Sequence, residues 1–215
     1  MPVPIVPVKA LADAKGRLAP RLDPIARRLL AIAMFEDVVA ALQATAGLGR
    51  VVVVSPDREI WRRADAIGCR VVEEPPGPPG PAGLNAALVL AAAAADHGEG
   101  LLAVAADLPL ATPAAFARVL DAAARAAVVV VPSHDRAGTN VLAWRDPASF
   151  APAFGAASAQ RHLAQPGALR LDDRDLALDV DTVDDLRAAA PRLDPASVTA
   201  RRLADLRLLE RLGSA

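Results

Sequence analysis

The run Arg50-Val51-Val52-Val53-Val54-Ser55 sets consecutive valines between an arginine and a serine. A strand with one wet face alternates apolar and polar residues. A short, unbroken β-branched run is the pattern of a strand buried on both faces of a largely parallel sheet. Val128-Val129-Val130-Val131 repeats it. Working outward, the strands expected are Val3–Val8, Arg50–Ser55, Arg70–Glu73, Leu101–Ala106, Ala127–Val131, Thr139–Trp144 and Leu176–Val180. Segments of helical periodicity lie between them. Asp23-Pro24 is a start signal, an N-cap followed by proline at the first helical position, for a helix that stops near Gly47. Further helices are expected at Arg58–Ile67, Leu84–Ala95, Pro113–Ala124, Ser158–Leu163 and Thr182–Ala189. This alternation predicts an α/β fold with helices on both faces of the sheet.

Pro4 and Pro7 fall in the first strand, where a central position would lose ladder donors, so a short or irregular strand is expected there. Asp194–Leu212 reads as a final amphipathic helix with Val198, Leu203, Leu206 and Leu209 on its apolar side. It is expected either to pack on the domain or to pair with a second subunit in a homodimer. The organisation is thus a domain over 1–190 and a C-terminal helical extension over 191–215. Glu74–Gly83 is rich in proline and glycine and reads as a surface loop, in the position where α/β sheets hold ligands.

At 215 residues the chain suits one domain that buries roughly 70% of its unfolded surface. A net charge of -1 and a pI near 6.3 speak against a nucleic-acid partner. No apolar stretch is long enough to span a bilayer, and no signal peptide is apparent, so a cytoplasmic protein is expected. The lone Cys69 excludes an internal disulfide framework and is expected to pack beside Ile67 and Val71.

Only two of the 24 basic residues are lysines, Lys9 and Lys15, just after the first apolar run and followed by Arg17. In a chain that writes positive charge as arginine, two ammonium groups six residues apart mark a candidate polyanion cradle. The alternative is a solvated loop. Asp107 closes the apolar run Leu101–Ala106, and Asp179 and Asp181 flank Val180 after Leu176–Leu178. A side-chain period of two would send Asp179 and Asp181 to one side. Three carboxylates at strand ends suit a hard cation such as magnesium. Alternatively, Asp181 caps the helix near Thr182 and Asp107 starts a turn. Neither G-x-G-x-x-G after the first strand nor G-x-x-x-x-G-K-[ST] is present, which disfavours dinucleotide-dependent oxidoreductases and P-loop enzymes. Asp179–Val183 resembles the D-x-D-x-[TV] motif of haloacid-dehalogenase-like phosphatases, but that motif normally ends a first strand.

Six segments in order carry a more specific resemblance. They are Val6-Pro7-Val8-Lys9 with Ala14-Lys15-Gly16-Arg17-Leu18, Gly83-Leu84-Asn85-Ala86-Ala87, and Ala105-Ala106-Asp107-Leu108-Pro109-Leu110. Gly138-Thr139-Asn140, Phe154-Gly155-Ala156-Ala157-Ser158 and Leu178-Asp179-Val180-Asp181-Thr182 complete them. Together they resemble the phospholactate/phosphoenolpyruvate guanylyltransferase family of deazaflavin coenzyme F-420 biosynthesis, up to about residue 190. The proline- and glycine-rich stretch before Gly83 departs from it.

The resemblance implies a Rossmann-like three-layer nucleotidyltransferase fold with a mostly parallel, mixed sheet. It implies transfer of GMP from GTP to phosphoenolpyruvate, 2-phospho-L-lactate or 3-phospho-D-glycerate, with release of pyrophosphate. Carried over by motif, Asp107, Asp179 and Asp181 would bind magnesium, and Lys9, Lys15 and Arg17 the triphosphate. Gly83, Leu84 and Asn85 would hold the guanosine, and Thr139, Gly155 and Ser158 the phosphorylated three-carbon acid. Such an acceptor is already anionic and needs no general base, in keeping with His97, His134 and His162 lying in no catalytic pattern. Without the resemblance, Ser158 is equally an N-cap, Thr139-Asn140 a turn and Arg161 a solvated cation. The alternatives are a nucleotidyltransferase for another cofactor or sugar phosphate, and a non-catalytic nucleotide-binding protein.

Overall fold

The structure, a computed structural model, describes residues 1–75, 77, 80–95 and 100–208. Seven strands form one sheet: β1 (Val3–Pro7), β2 (Val52–Ser55), β3 (Arg70–Glu73), β4 (Leu101–Val104), β5 (Val128–Pro132), β6 (Thr139–Trp144) and β7 (Ala168–Arg170). Their order is β3-β2-β1-β4-β6-β5-β7, with β6 antiparallel to β4 and β5 and every other pair parallel. The helices are α1 (Pro24–Gln43), α2 (Arg58–Ala66), α3 (Pro81–Ala94), α4 (Pro113–Ala123), α5 (Ser158–Leu163), α6 (Val183–Ala189) and α7 (Val198–Asp205).

The valine runs behave as their composition requires. Val53, Val129 and Val131 face a core with α1, α2 and α4, while Val52, Val54, Val128 and Val130 face α3 on the other side. Three layers result. Cys69 lies in the first of these cores, with Ile67 and Val71 packed against it. Helix α1 is apolar around much of its circumference because both sides are covered. Ile32, Phe35, Val39 and Leu42 face the sheet, and Ala26, Leu30 and Met34 face α6 and α7. Among the described residues no helix is long and apolar enough to cross a membrane.

The two prolines of β1 sit where they cost no ladder bond, although the strand is central. The Val3 amide donates to Gly100 and that of Val8 to Val54, so odd-numbered amides face β4 and even-numbered ones β2. Pro4 faces β2 before their register begins at Ile5–Val52, and Pro7 faces β4 after theirs ends at Ile5–Ala103.

Four expectations are corrected. Leu176–Val180 is not a strand: its alternation comes from Leu176 entering one core and Leu178 and Val180 another. The carbonyls of Leu176 and Ala177 accept from the Asn140 side chain. The seventh strand is instead Ala168–Arg170, an edge strand with Leu169 exposed and hence no apolar signature. Helix α3 starts at Pro81, three residues early, with Gly80 at φ +77° before it. The C-terminal helix spans only Val198–Asp205, capped by Ser197 and by Asp37, which accepts from the amides of Val198 and Thr199. It packs on α1 through Leu203, and Leu208, beyond its end, enters the same core. The expected continuation over 209–212, like His97 and part of the proline-rich loop, lies outside the described residues.

Candidate active site

The carboxyl ends of β1, β4 and β5 and the start of antiparallel β6 share one rim. Past β4, the amide of Ala105 donates to Asn140 and the carbonyl of Asp107 accepts from Val180. These bonds bring the two acidic segments side by side. Asn140 completes the link, donating to Asp179 Oδ1 at 3.1 Å. Asp181 is not a helix cap: Thr182 caps α6 in a reciprocal box with Asp185. The Asp181 carboxylate is left for other partners.

Those partners come from the loop after β1, which makes short helical turns at Leu11–Asp13 and Gly16–Leu18 around Lys15. Leu11 and Leu18 are buried, the Leu11 amide donates to Asp57, and Arg27 donates to the Ala14 carbonyl. Lys15 has φ 52° in this loop. Its ammonium bonds Asp107 and lies 3.4 Å from Asp181, with the side chain only 8% exposed. Arg17 reaches Asp181 at 3.2 Å from solvent, where such a pair contributes little stability. Lys9 is exposed past the end of β1 and, among the described residues, forms no ion pair.

Burial pushes the Asp179 carboxyl above the usual carboxylate range, with Asp107 and then Asp181 adding repulsion and Asn140 opposing them. Burial also works against the charge on Lys15, but Asp107 and Asp181 outweigh it and hold the ammonium's pKa above its ordinary value. Among the described residues no three Asp, Glu, His or Cys side chains form a ready-made metal centre. The donors are nevertheless hard oxygens whose mutual repulsion a cation relieves, and Lys15 is the cation that meets two of them here.

The second half of the rim is built from β6, α5 and the segment before α5. Thr139 Oγ1 lies 3.0 Å from His162 Nδ1 and accepts from Ser158 Oγ at 3.3 Å, all three residues buried. Ser158 makes no helix-capping bond. Asn85, on α3, exchanges two hydrogen bonds with the Phe154 backbone. Arg161 is exposed, as a solvated cation would be, and also donates to the Ala153 carbonyl. Gly155 has φ +121°, and a Cβ there would lie 2.8 Å from Pro81 Cβ. Gly83 is buried inside α3 and Leu84 packs toward the adjacent core.

The structure therefore brings Lys15, Arg17, Asp107, Asp179 and Asp181 together, and separately Thr139 with Ser158. It ties Asn85 and Gly155 to one strap and leaves Lys9 apart. Sequence reasoning missed Asn140 as the organiser of the acidic segment. It also missed His134, whose ring nitrogens lie 3.7 Å from Asp179 and 3.5 Å from Asp185. It set His162 aside as well, although a position four residues after Ser158 puts the two on one helix face.

A mixed sheet between two helical layers, with an acidic, lysine-bearing rim, is the architecture of a nucleotidyltransferase-like protein. A 1.90 Å crystal structure of a putative nucleotide-diphospho-sugar transferase from Desulfovibrio desulfuricans G20 shares the fold, with a TM-score of 0.76. The match covers 99% of each chain at 18% identity. The family model described as guanylyl transferase CofC like matches residues 2–189, and the chain belongs to that family. It is 41% identical to a phosphoenolpyruvate guanylyltransferase of Nocardia farcinica, over 94% of this chain and 90% of the relative. It is 43% identical to the Streptomyces coelicolor protein of the same name, over 86% of this chain and 88% of the relative.

Proposed function

We propose that this protein transfers GMP from GTP to phosphoenolpyruvate, releasing pyrophosphate, as a step in making the deazaflavin coenzyme F-420. The observation that carries the reading is Lys15, buried between Asp107 and Asp181 on the rim where the Thr139–Ser158 hydroxyl pair also lies. The family and the names of its relatives supply the reactants.

A phosphate oxygen of the acceptor attacks the α-phosphorus of GTP, forming a new P–O bond as the bond to the pyrophosphate oxygen breaks. That oxygen is already ionised, so no side chain has to remove a proton. The chain must instead hold polyanions together and offset charge on the leaving group. Lys15 and Arg17 do this from the first loop, and Lys9 is free to join them. Asp107, Asp179 and Asp181 are the residues that would hold magnesium. When bound, the ion supplies charge neutralisation and orientation of the phosphates. Thr139 and Ser158 hold the acceptor, while Gly83, Leu84 and Asn85 shape the guanosine side through α3 and its link to Phe154.

The test is pyrophosphate release from purified protein, GTP and magnesium with phosphoenolpyruvate, 2-phospho-L-lactate and 3-phospho-D-glycerate offered separately. Release with phosphoenolpyruvate above the other two supports the reading. Release with none of them removes it.

A further inference from the structure

His162 is buried and spans two bonds. The Ala153 amide donates to its Nε2 at 2.9 Å, and Nδ1 lies 3.0 Å from Thr139 Oγ1. A backbone amide can only donate, so Nε2 carries the lone pair. Burial pushes the imidazole down to about 4, with the nearby Arg161 charge adding to the effect, so the ring is neutral near pH 7. A neutral ring with a bare Nε2 carries its proton on Nδ1, and Nδ1–H donates to Thr139. Phe154 packs edge-on against the ring, with centroids 4.9 Å apart. The Ala153 peptide is itself held by Arg161 on its carbonyl. Ring and tautomer are both set.

Thr139 Oγ1 accepts from Nδ1–H and from the Ser158 hydroxyl. Its own proton then has no acceptor among the described residues. Reversing the Ser158–Thr139 bond only moves the spare proton to Ser158. The other tautomer would take up the Thr139 proton, and the pair would offer nothing outward.

We infer that His162 is a positioning residue, which keeps the Thr139–Ser158 pair a net hydrogen-bond donor toward an anionic acceptor substrate. The inference rests on the acceptor side of the function proposed above. His162 sets acceptor affinity without touching the acceptor. It transmits the Ala153 amide's polarity to a hydroxyl.

The experiment has two arms on the full chain. Imidazole ¹⁵N NMR, with His162 assigned from the signal lost in His162→Gln, should show Nδ1 protonated and Nε2 bare around pH 7; a protonated Nε2 overturns the inference. In steady-state assays with phosphoenolpyruvate, His162→Gln retains an acceptor for Ala153 but not the donor to Thr139. Its acceptor KM should rise roughly tenfold, the scale of one hydrogen bond, with the GTP KM unchanged. His162→Asn, which can place an amide donor near the Nδ1 position, should recover most of that loss. In a Thr139→Val background His162→Gln should add nothing. A full further loss there, or no KM change in His162→Gln alone, overturns the inference. Absence of turnover in the unsubstituted protein instead removes the functional reading, and the NMR arm still decides the tautomer.

Discussion

The Val180 amide donates to the Asp107 carbonyl at 3.1 Å, joining two segments far apart in the chain. Asp179 and Asp181 flank that amide, so one backbone bond brings both carboxylates to the end of β4. Lys15 closes the group from a third segment.

Asp107→Asn and Asp179→Asn should each lower turnover by about 100-fold or more, the scale of losing one preorganised charged group. Pyrophosphate release measures this, and circular dichroism should show both variants folded. Near-normal activity in either would remove that aspartate from the proposed metal site.

Asp179 also gives a signed pH dependence. Its carboxyl pKa is raised in the folded protein, so the folded state binds more protons than the unfolded one between the ordinary value of 3.8 and the raised value. With no divalent ion present, its contribution to stability therefore falls as pH rises through that window. Asp179→Asn should raise Tm at pH 7 in EDTA, and the gain should shrink as pH falls toward 4. A Tm difference independent of pH would show that burial of the charge is not the cause.

Asn140→Ala removes the Nδ2 amide, whose two protons are shared among the Leu176 and Ala177 carbonyls and Asp179. A cost of about 1–3 kcal/mol is expected for leaving buried acceptors unpaired, read by urea denaturation. Turnover should fall with it, because Asp179 loses the donor that orients it.

Gly155→Ala would place a methyl group 2.8 Å from Pro81 Cβ at a φ of +121°. The strain should cost about 1–3 kcal/mol in thermal or urea melts and raise the acceptor KM by shifting the strap before Ser158. An unchanged acceptor KM would detach that strap from acceptor binding.

Lys15→Arg preserves charge but not the compact ammonium that fits between Asp107 and Asp181 with 8% exposure. The GTP KM should rise and Tm should drop. Unchanged GTP kinetics would make the ammonium incidental.

The layered α/β architecture was legible because its signals are local. Continuous valine runs announce strands covered on both faces, and Asp23-Pro24 announces a helix start whatever the rest of the chain does. The charged candidates stood out too, Lys9 and Asp107 after apolar runs and Asp179 and Asp181 around Val180, whereas Gly83, Leu84, Asn85, Thr139, Gly155 and Ser158 came only with the family resemblance. Tertiary structure alone decided what Leu176–Val180 would be, because its alternation reports which core each side chain enters and not whether a neighbouring strand is available. It alone showed that Asn140 links the acidic segment, that Asn85 clasps Phe154, and that His162 and Thr139 share a hydrogen bond. Elements form from short-range periodicity, whereas a site forms from side chains that meet only after strands far apart in the chain have been paired. No local pattern encodes those meetings.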